Sequence, residues 1–269
     1  MSAYRGDTDS GSAEPELQDA FDRLVEEGEI RLYRPWSTLI VTGLLGGIDV
    51  GTGVLAYLLV KHYTGSPLLA GLAFSIGFVA LLLARSELFT ENFLVPVAAV
   101  VSRRGTLASL ARLWGVTLVG NLVGGWVIAW LLVRALPDLR VTALEAGEHY
   151  ARLGVTLESF ALAVLAGLVI TLMTRMQHAT ESLGVQLVPA LLFGALLAGG
   201  QLFHCVLDSI LMFAALHAGR APFGYLDWLG ALGWSALGNL VGGVGLVAFL
   251  RLARVPHRVA GERARNAPD

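Results

Sequence analysis

One histidine and five charged side chains stand in stretches otherwise built of Leu, Val, Ala and Gly: Asp49, Arg85, Glu87, Glu91, His204 and Asp208. An ionisable group is costly inside a membrane and marks a functional position by default. His204 has the widest chemical range. A neutral imidazole offers one donor and one acceptor, and its charge changes near neutral pH. In an apolar pore it would donate to a passing carboxylate, or protonate and hold an anion by charge. Thr90 holds the matching place in the other half of the chain and is positioned to bond the ring and fix its orientation. The competing reading is a structural histidine satisfied by a backbone carbonyl. Arg85, Glu87 and Glu91 could form a selectivity network, or neutralise one another as an Arg85–Glu87 or Arg85–Glu91 pair. Asp49 and Asp208 have no sequence-local cation, which leaves pairing with Arg85, protonation or a water-filled vestibule.

The elements that must position these groups are membrane spans. A hydrophobic fraction of 55% with 15% charged residues does not fit a soluble domain of 269 residues. Mean hydropathy is +0.66. The 32 glycines suit helices packed closely in lipid. Net charge of −2 gives no reason to expect a nucleic-acid partner, and the single cysteine, Cys205, excludes an internal disulfide. No cleavable signal peptide is apparent. Residues 1–34 form an N-terminal tail, with 1–13 expected to be disordered. From Glu14 to about Ile30, Leu17, Phe21 and Leu24 share one face of an amphipathic helix, set on the membrane or on the protein's own surface. The membrane domain covers 35–254, and 255–269 is a C-terminal tail. Judged against the ~20 residues needed to cross the hydrocarbon core, six apolar segments run roughly 37–60, 67–101, 107–133, 156–174, 187–217 and 229–251. The second and fifth are too long for simple spans and are interrupted, at 85–92 and 199–204.

The string Gly120-Asn121-Leu122-Val123-Gly124-Gly125 returns unchanged at Gly238-Asn239-Leu240-Val241-Gly242-Gly243. Copies separated by three crossings face opposite ways, so the chain reads as two inverted three-helix repeats, a channel or transporter architecture with its site where the matched helices break. Gly120 with Gly124, and Gly238 with Gly242, lie on one helix face and favour packing, while Asn121 and Asn239 are candidates to bond the broken segments. Aligning Leu88-Phe89-Thr90 with Leu202-Phe203-His204 gives an offset of 114 against 118 for the Gly-Asn strings, which a four-residue insertion would reconcile. Arginine is concentrated at the N-terminal side, the 102–106 and 175–186 loops and the C-terminal tail, so both termini are expected in the cytoplasm of a bacterial-type plasma (inner) membrane.

Taken together, Phe74-Ser75-Ile76-Gly77, Glu87-Leu88-Phe89-Thr90, His204 and the two Gly-Asn strings resemble the formate/nitrite transporter family over roughly residues 30–255. The resemblance implies an all-α membrane protein with an aquaporin-like six-span fold, a homopentamer in the bilayer, one pore per protomer and small monovalent anions as substrates. It implies Leu88 and Phe89 as one apolar constriction, Phe74 with Leu197 as the other, and Thr90 with His204 as the polar pair between them. The buried histidine would protonate or polarise the anion. This sequence departs from the family pattern in several places. Arg85-Ser86 precedes the Glu-Leu-Phe-Thr string where a small residue is usual, Asp208 replaces an Asn, Gly167 falls where a fourth-span Asn is expected, and Arg152 is the nearest match to an anion-attracting basic residue. These mark a divergent branch.

The leading expectation is a pore for a small monovalent anion or its conjugate acid, with proton coupling through His204. Should the acids line the pore, cations or neutral solutes would be favoured instead. A nonconducting structural or sensory membrane protein is the remaining alternative. No His-Glu-x-x-His motif and no convincing Ser/His/Asp set suggests an enzyme, no Asn-Pro-Ala suggests an aquaporin proper, and no cofactor or metal is expected.

Overall fold

A computed structural model describes residues 10–254 and 256–266, with side chains from Phe21 onward. Among these residues all regular secondary structure is helical. The N-terminal helix α1 is Ser10–Leu32. It starts four residues earlier than the pattern suggested, and Leu17 of its expected apolar face lies outside the described side chains. Phe21, Leu24 and Val25 are buried against Leu94, Val95, Ala98 and Ala248, so α1 rests on the protein and not on lipid.

The first repeat comprises α2 (Trp36–Thr64), α3 (Pro67–Ala84), α4 (Val95–Val101) and α5 (Leu107–Ala135). The second comprises α7 (Leu157–Gln177), α8 (Leu183–Gly199), α9 (Cys205–Ala218) and α10 (Tyr225–Ala253). Helices α2, α3, α5, α7 and α10 are each long and apolar enough to cross a membrane. The fifth crossing is divided between α8 and α9, and the second is completed by a 3-10 turn at Phe89–Phe93 followed by α4. Leu68, Leu72, Leu192 and Leu196 keep more than half of their surface outward, as a lipid-facing exterior requires. This is a multi-pass membrane protein. Unforeseen in the sequence is α6 (Arg140–Leu153), a polar helix joining the repeats. It packs on α9 where Gly147 leaves no room for a Cβ beside Ala215.

Small residues let the outer spans of each repeat cross in near backbone contact. A Cβ on Gly124 would overlap the Leu44 carbonyl oxygen, and one on Gly242 would overlap that of Val164. The copies differ in one respect. Gly120–Gly125 is regular α-helix, whereas Val241–Ala248 winds as π-helix, a local widening of the ladder that occurs in short inserts.

The two breaks share a backbone mechanism. Helix α3 ends on Arg85 at φ 55, with the Ser86 N–H bonded to the Leu81 carbonyl at 3.2 Å. Past α8, Gln201 takes φ 50 and the Leu202 N–H bonds the Leu197 carbonyl at 3.1 Å. A left-handed residue closed by such a six-to-one bond is a standard helix stop. Each break then re-enters helix at an N-cap, Leu88 in the first repeat and His204 in the second. Each of these landmark pairs is 116 residues apart. The break register is therefore 116 and not 114, and His204 is the counterpart of Leu88. Thr90 meets the imidazole across the two-fold relation without being its equivalent.

Candidate functional site

Extended backbone at the breaks exposes peptide groups that have no water to bond in lipid, so protein must satisfy them. Two asparagines do this identically. Asn121 Oδ1 accepts the Phe89 N–H at 2.8 Å, while its Nδ2 donates to the carbonyls of Glu87 and Gly43, each at 2.8 Å. Asn239 Oδ1 accepts the Cys205 N–H at 3.0 Å, and its Nδ2 donates to Phe203 at 2.9 Å and Ala163 at 2.8 Å. The same carboxamide thus ties a broken segment to the neighbouring span in both halves.

Held this way, the breaks meet at His204. Its ring is fully buried. Nδ1 accepts the Leu207 N–H at 3.1 Å and so caps α9. That bond places the single ring proton on Nε2, which donates to Thr90 Oγ1 at 2.9 Å. Thr90 then keeps its own hydroxyl hydrogen, and no acceptor for it stands among the described residues. Asp208 Oδ2 accepts the His204 backbone N–H at 2.6 Å, near the positive end of α9. Its buried Oδ1 makes no close hydrogen bond among the described residues, but the Tyr150 hydroxyl lies beside the carboxyl. Asp208 thus supports the histidine's backbone and does not pair with Arg85.

The four residues proposed from the family pattern as constrictions, Phe74, Leu88, Phe89 and Leu197, are all buried in one apolar cluster. Phe74 meets Phe78 edge to face at 5.3 Å, and Phe89 meets Phe93 likewise at 5.0 Å. Tyr150 of α6 stacks on Phe203 with ring centroids 6.1 Å apart, so the linking helix also covers the second break.

The charge network is arranged differently from the sequence expectation. Glu87 does not pair with Arg85; it pairs with Arg34, and Arg31 lies within 4.0 Å. Arg31 also pairs with Glu27 and donates to Asn92 Oδ1 at 3.2 Å. His178 Nε2 contacts Glu27 at 2.9 Å while its Nδ1 faces the Thr174 carbonyl at 2.8 Å. Arg85 and Glu91 form no ion pair among the described residues. Asp49 is half-buried on α2 beside the Ser86 hydroxyl and forms no ion pair with Arg85 among the described residues. Arg152 is exposed and pairs with Glu148. Gly167 is a crossing glycine whose Cβ would overlap the Asn239 carbonyl oxygen, which bars a side chain there. Sequence pattern does not mark Arg31, Arg34, His178 and Glu27 for this site, because no periodicity connects the end of α1 with residue 87.

These groups rim a cavity of about 470 Å³ on the α1 side, which reaches Arg85, Ser86 and Glu91 beside the first break. No group of His, Cys, Asp or Glu suited to a metal ion occurs among the described residues. Burial opposes charge on Glu27, but the His178 hydrogen bond and the Arg31 charge outweigh it and hold the carboxyl below its ordinary value of 4.5. A depressed carboxyl contributes stability above its unfolded pKa and loses that contribution as pH falls. The melting temperature is therefore expected to drop more steeply below about pH 4.5 in wild type than in Glu27→Gln. Parallel acid limbs in thermal melts would contradict this role.

The formate/nitrite transporter family model matches residues 18–253, and the chain belongs to that family. Inner membrane protein YfdC of Escherichia coli is 27% identical over 258 residues, covering 91% of this chain and 81% of that protein. Uncharacterized transporter YrhG of Bacillus subtilis is 28% identical, covering 84% and 89%. Formate channel FocA of Haemophilus influenzae is 29% identical over 155 residues, 54% of this chain and 52% of that one. Among solved structures, a pentameric formate channel with formate bound aligns with TM-score 0.68 at 23% identity, covering 81% of this chain and 96% of that chain. An FNT family ion channel aligns with TM-score 0.75 at 19% identity, covering 90% and all of that chain.

Proposed function

We propose that this member of the formate/nitrite transporter family conducts a small monovalent anion of the formate or nitrite kind through a pore in each protomer of a homopentamer. The proposed setting is a bacterial-type inner membrane, with α1 and both termini on the cytoplasmic side. The observation that carries the reading is the bond between Thr90 and the imidazole of His204. Because Nε2–H donates to Thr90, the threonine hydroxyl is free to donate onward to an anion that has shed water at Leu88, Phe89, Phe74 and Leu197. Desolvating a bare ion is strongly unfavourable without such a donor. A second proton on His204 would have to displace the Leu207 N–H from Nδ1, so the neutral ring is the form that fits this site. Delivery of a proton to the anion requires the ring to leave its cap.

The Asp208 carboxyl beside this centre, which would repel a bare anion, favours a secondary reading in which the conjugate acid crosses and the anion is held only at the mouths. Flux of formate and nitrite into proteoliposomes at two pH values tests both. The anion pore requires uptake well above empty vesicles, with reversal potentials that follow the anion gradient. Passage of cations in place of anions would defeat it. A rate proportional to the protonated fraction at each pH would shift the assignment to the acid.

A further inference from the structure

We propose that Arg175, Arg251 and Arg254 bind the headgroup of an anionic phospholipid at the membrane surface on the α1 side. None of the three lines the cavity beside the first break.

The first support is where two spans end. Helices α7 and α10 run parallel, since a Cβ on Gly238 would meet Ala163, one on Gly242 would meet Val164 and Leu168, and one on Gly243 would meet Thr171. Both spans therefore emerge on one face. His178, just past α7, bonds Glu27 of α1 and marks that face as the α1 side. Arg175 is half-buried in the last turn of α7, whereas Arg251 in the last turn of α10 and Arg254 just beyond it are exposed. Arg251 and Arg254 stand close enough to Arg175 for their charges to repel it. One arginine at a span end is accounted for by the general placement of basic residues there. Three that repel one another are held at a cost that a bound anion would remove.

The second support is the lack of a counter-charge. None of the three forms an ion pair among the described residues, and the acids nearest in sequence are engaged elsewhere. Glu181 pairs with Arg23 at 3.6 Å, and the buried Glu262 pairs with Arg104 at 3.0 Å. The third support is the surface below the cluster. Leu246, Phe249 and Leu250, in the turns leading to Arg251, keep 45%, 66% and 60% of their surface outward. A phosphodiester gripped by planar guanidinium forks would lay its acyl chains there. Free phosphate would use the cations but not this apolar surface. Basic pockets between spans are a recurrent form of lipid-headgroup site.

The π-helix at Val241–Ala248 leads into this end of α10. A π turn takes up more residues than an α turn, so side chains beyond it are set back around the axis. The insert thus selects the face that carries Arg251 and Arg254. At the same distance past its Gly-Asn string, the first repeat has Val133 and Leu136 in or next to regular α-helix. The basic end belongs to the second repeat alone.

The test titrates detergent-solubilised protein with phosphatidylglycerol, phosphatidylcholine or sodium phosphate and follows the melting temperature. It compares wild type with Arg175→Gln, Arg175→Lys and the double variant Arg251→Gln/Arg254→Gln. Phosphatidylglycerol should raise the wild-type melting temperature saturably, and the other two probes should not. Half-saturation should move up about fivefold in Arg175→Gln and about 30-fold in the double variant, the size expected for one and two cations at an anionic lipid surface. Arg175→Lys keeps the charge and should half-saturate closer to wild type than Arg175→Gln, which separates lost charge from lost folding. Equal responses to the two lipids, or half-saturation that the glutamine variants leave unchanged, overturn the headgroup site. A sodium phosphate response equal to that of phosphatidylglycerol assigns the cluster to a free anion and overturns it as well. If the double variant lowers the oligomeric mass with lipid affinity intact, the arginines serve a subunit contact and the proposal falls.

Discussion

Replacing His204 with Phe should lower formate flux by roughly 10- to 100-fold. The variant deletes the Nε2–Thr90 bond and the acceptor that caps α9. The first loss, at about 1–3 kcal/mol for a buried group left unpaired, corresponds to that range at about 1.4 kcal/mol per decade; the second bears on stability. Loss of the cap alone costs about 1 kcal/mol of helix stability, so a second variant is needed to separate lost function from misfolding in His204→Phe. His204→Asn supplies that control. Asparagine is among the best N-cap residues and should restore the melting temperature, yet it is too short to replace the ring at Thr90. Its flux should stay low. Thr90→Val, which keeps shape and deletes the hydroxyl, should match it. Wild-type flux and pH response in His204→Asn and Thr90→Val would remove the polar centre from the mechanism.

The second large effect is structural. Asn121→Leu strands the Phe89 N–H and the Glu87 carbonyl, and removes the second bond to the Gly43 carbonyl, which keeps its helical partner in α2. With about 1–3 kcal/mol for each stranded group, and partial relaxation of the break, the expected loss is on the order of 2–5 kcal/mol. That is a large share of the ~5–15 kcal/mol that holds a typical domain together. Asn239→Leu removes the equivalent three bonds and should cost about the same. Asn121→Asp keeps the acceptor and loses both donors, so it should fall between wild type and leucine. Thermal unfolding of the purified oligomer measures all three. A loss below about 1 kcal/mol in both leucine variants would show that the breaks hold without the clasp.

The legible part of this protein was the part written in local pattern. Six apolar stretches of membrane length, two of them interrupted, and a duplicated Gly-Asn string were enough to give spans, breaks and inverted pairing, because a bilayer leaves a chain few ways to satisfy its backbone. The same reasoning brought Thr90 and His204 together. It failed on register. Matching Thr90 to His204 aligned side chains by likeness, whereas the equivalence resides in backbone events at Arg85 and Gln201, Ser86 and Leu202, Leu88 and His204. The charges failed for a related reason. Arg85 is two residues from Glu87 and looked like its partner, yet a left-handed turn sends the arginine to the cavity while Arg34, from the end of the N-terminal segment, takes the carboxylate.

By itself the amino-acid order determined that this chain crosses a membrane in two opposed triplets and breaks its central helices, since hydropathy and helix-stopping residues act within a few turns of themselves. Only the tertiary structure decided which charges pair, which imidazole nitrogen keeps its proton, and that α6 shields the second break. Those outcomes depend on groups brought within about 3 Å from positions as far apart as Thr90 and His204, and no local pattern encodes such a distance.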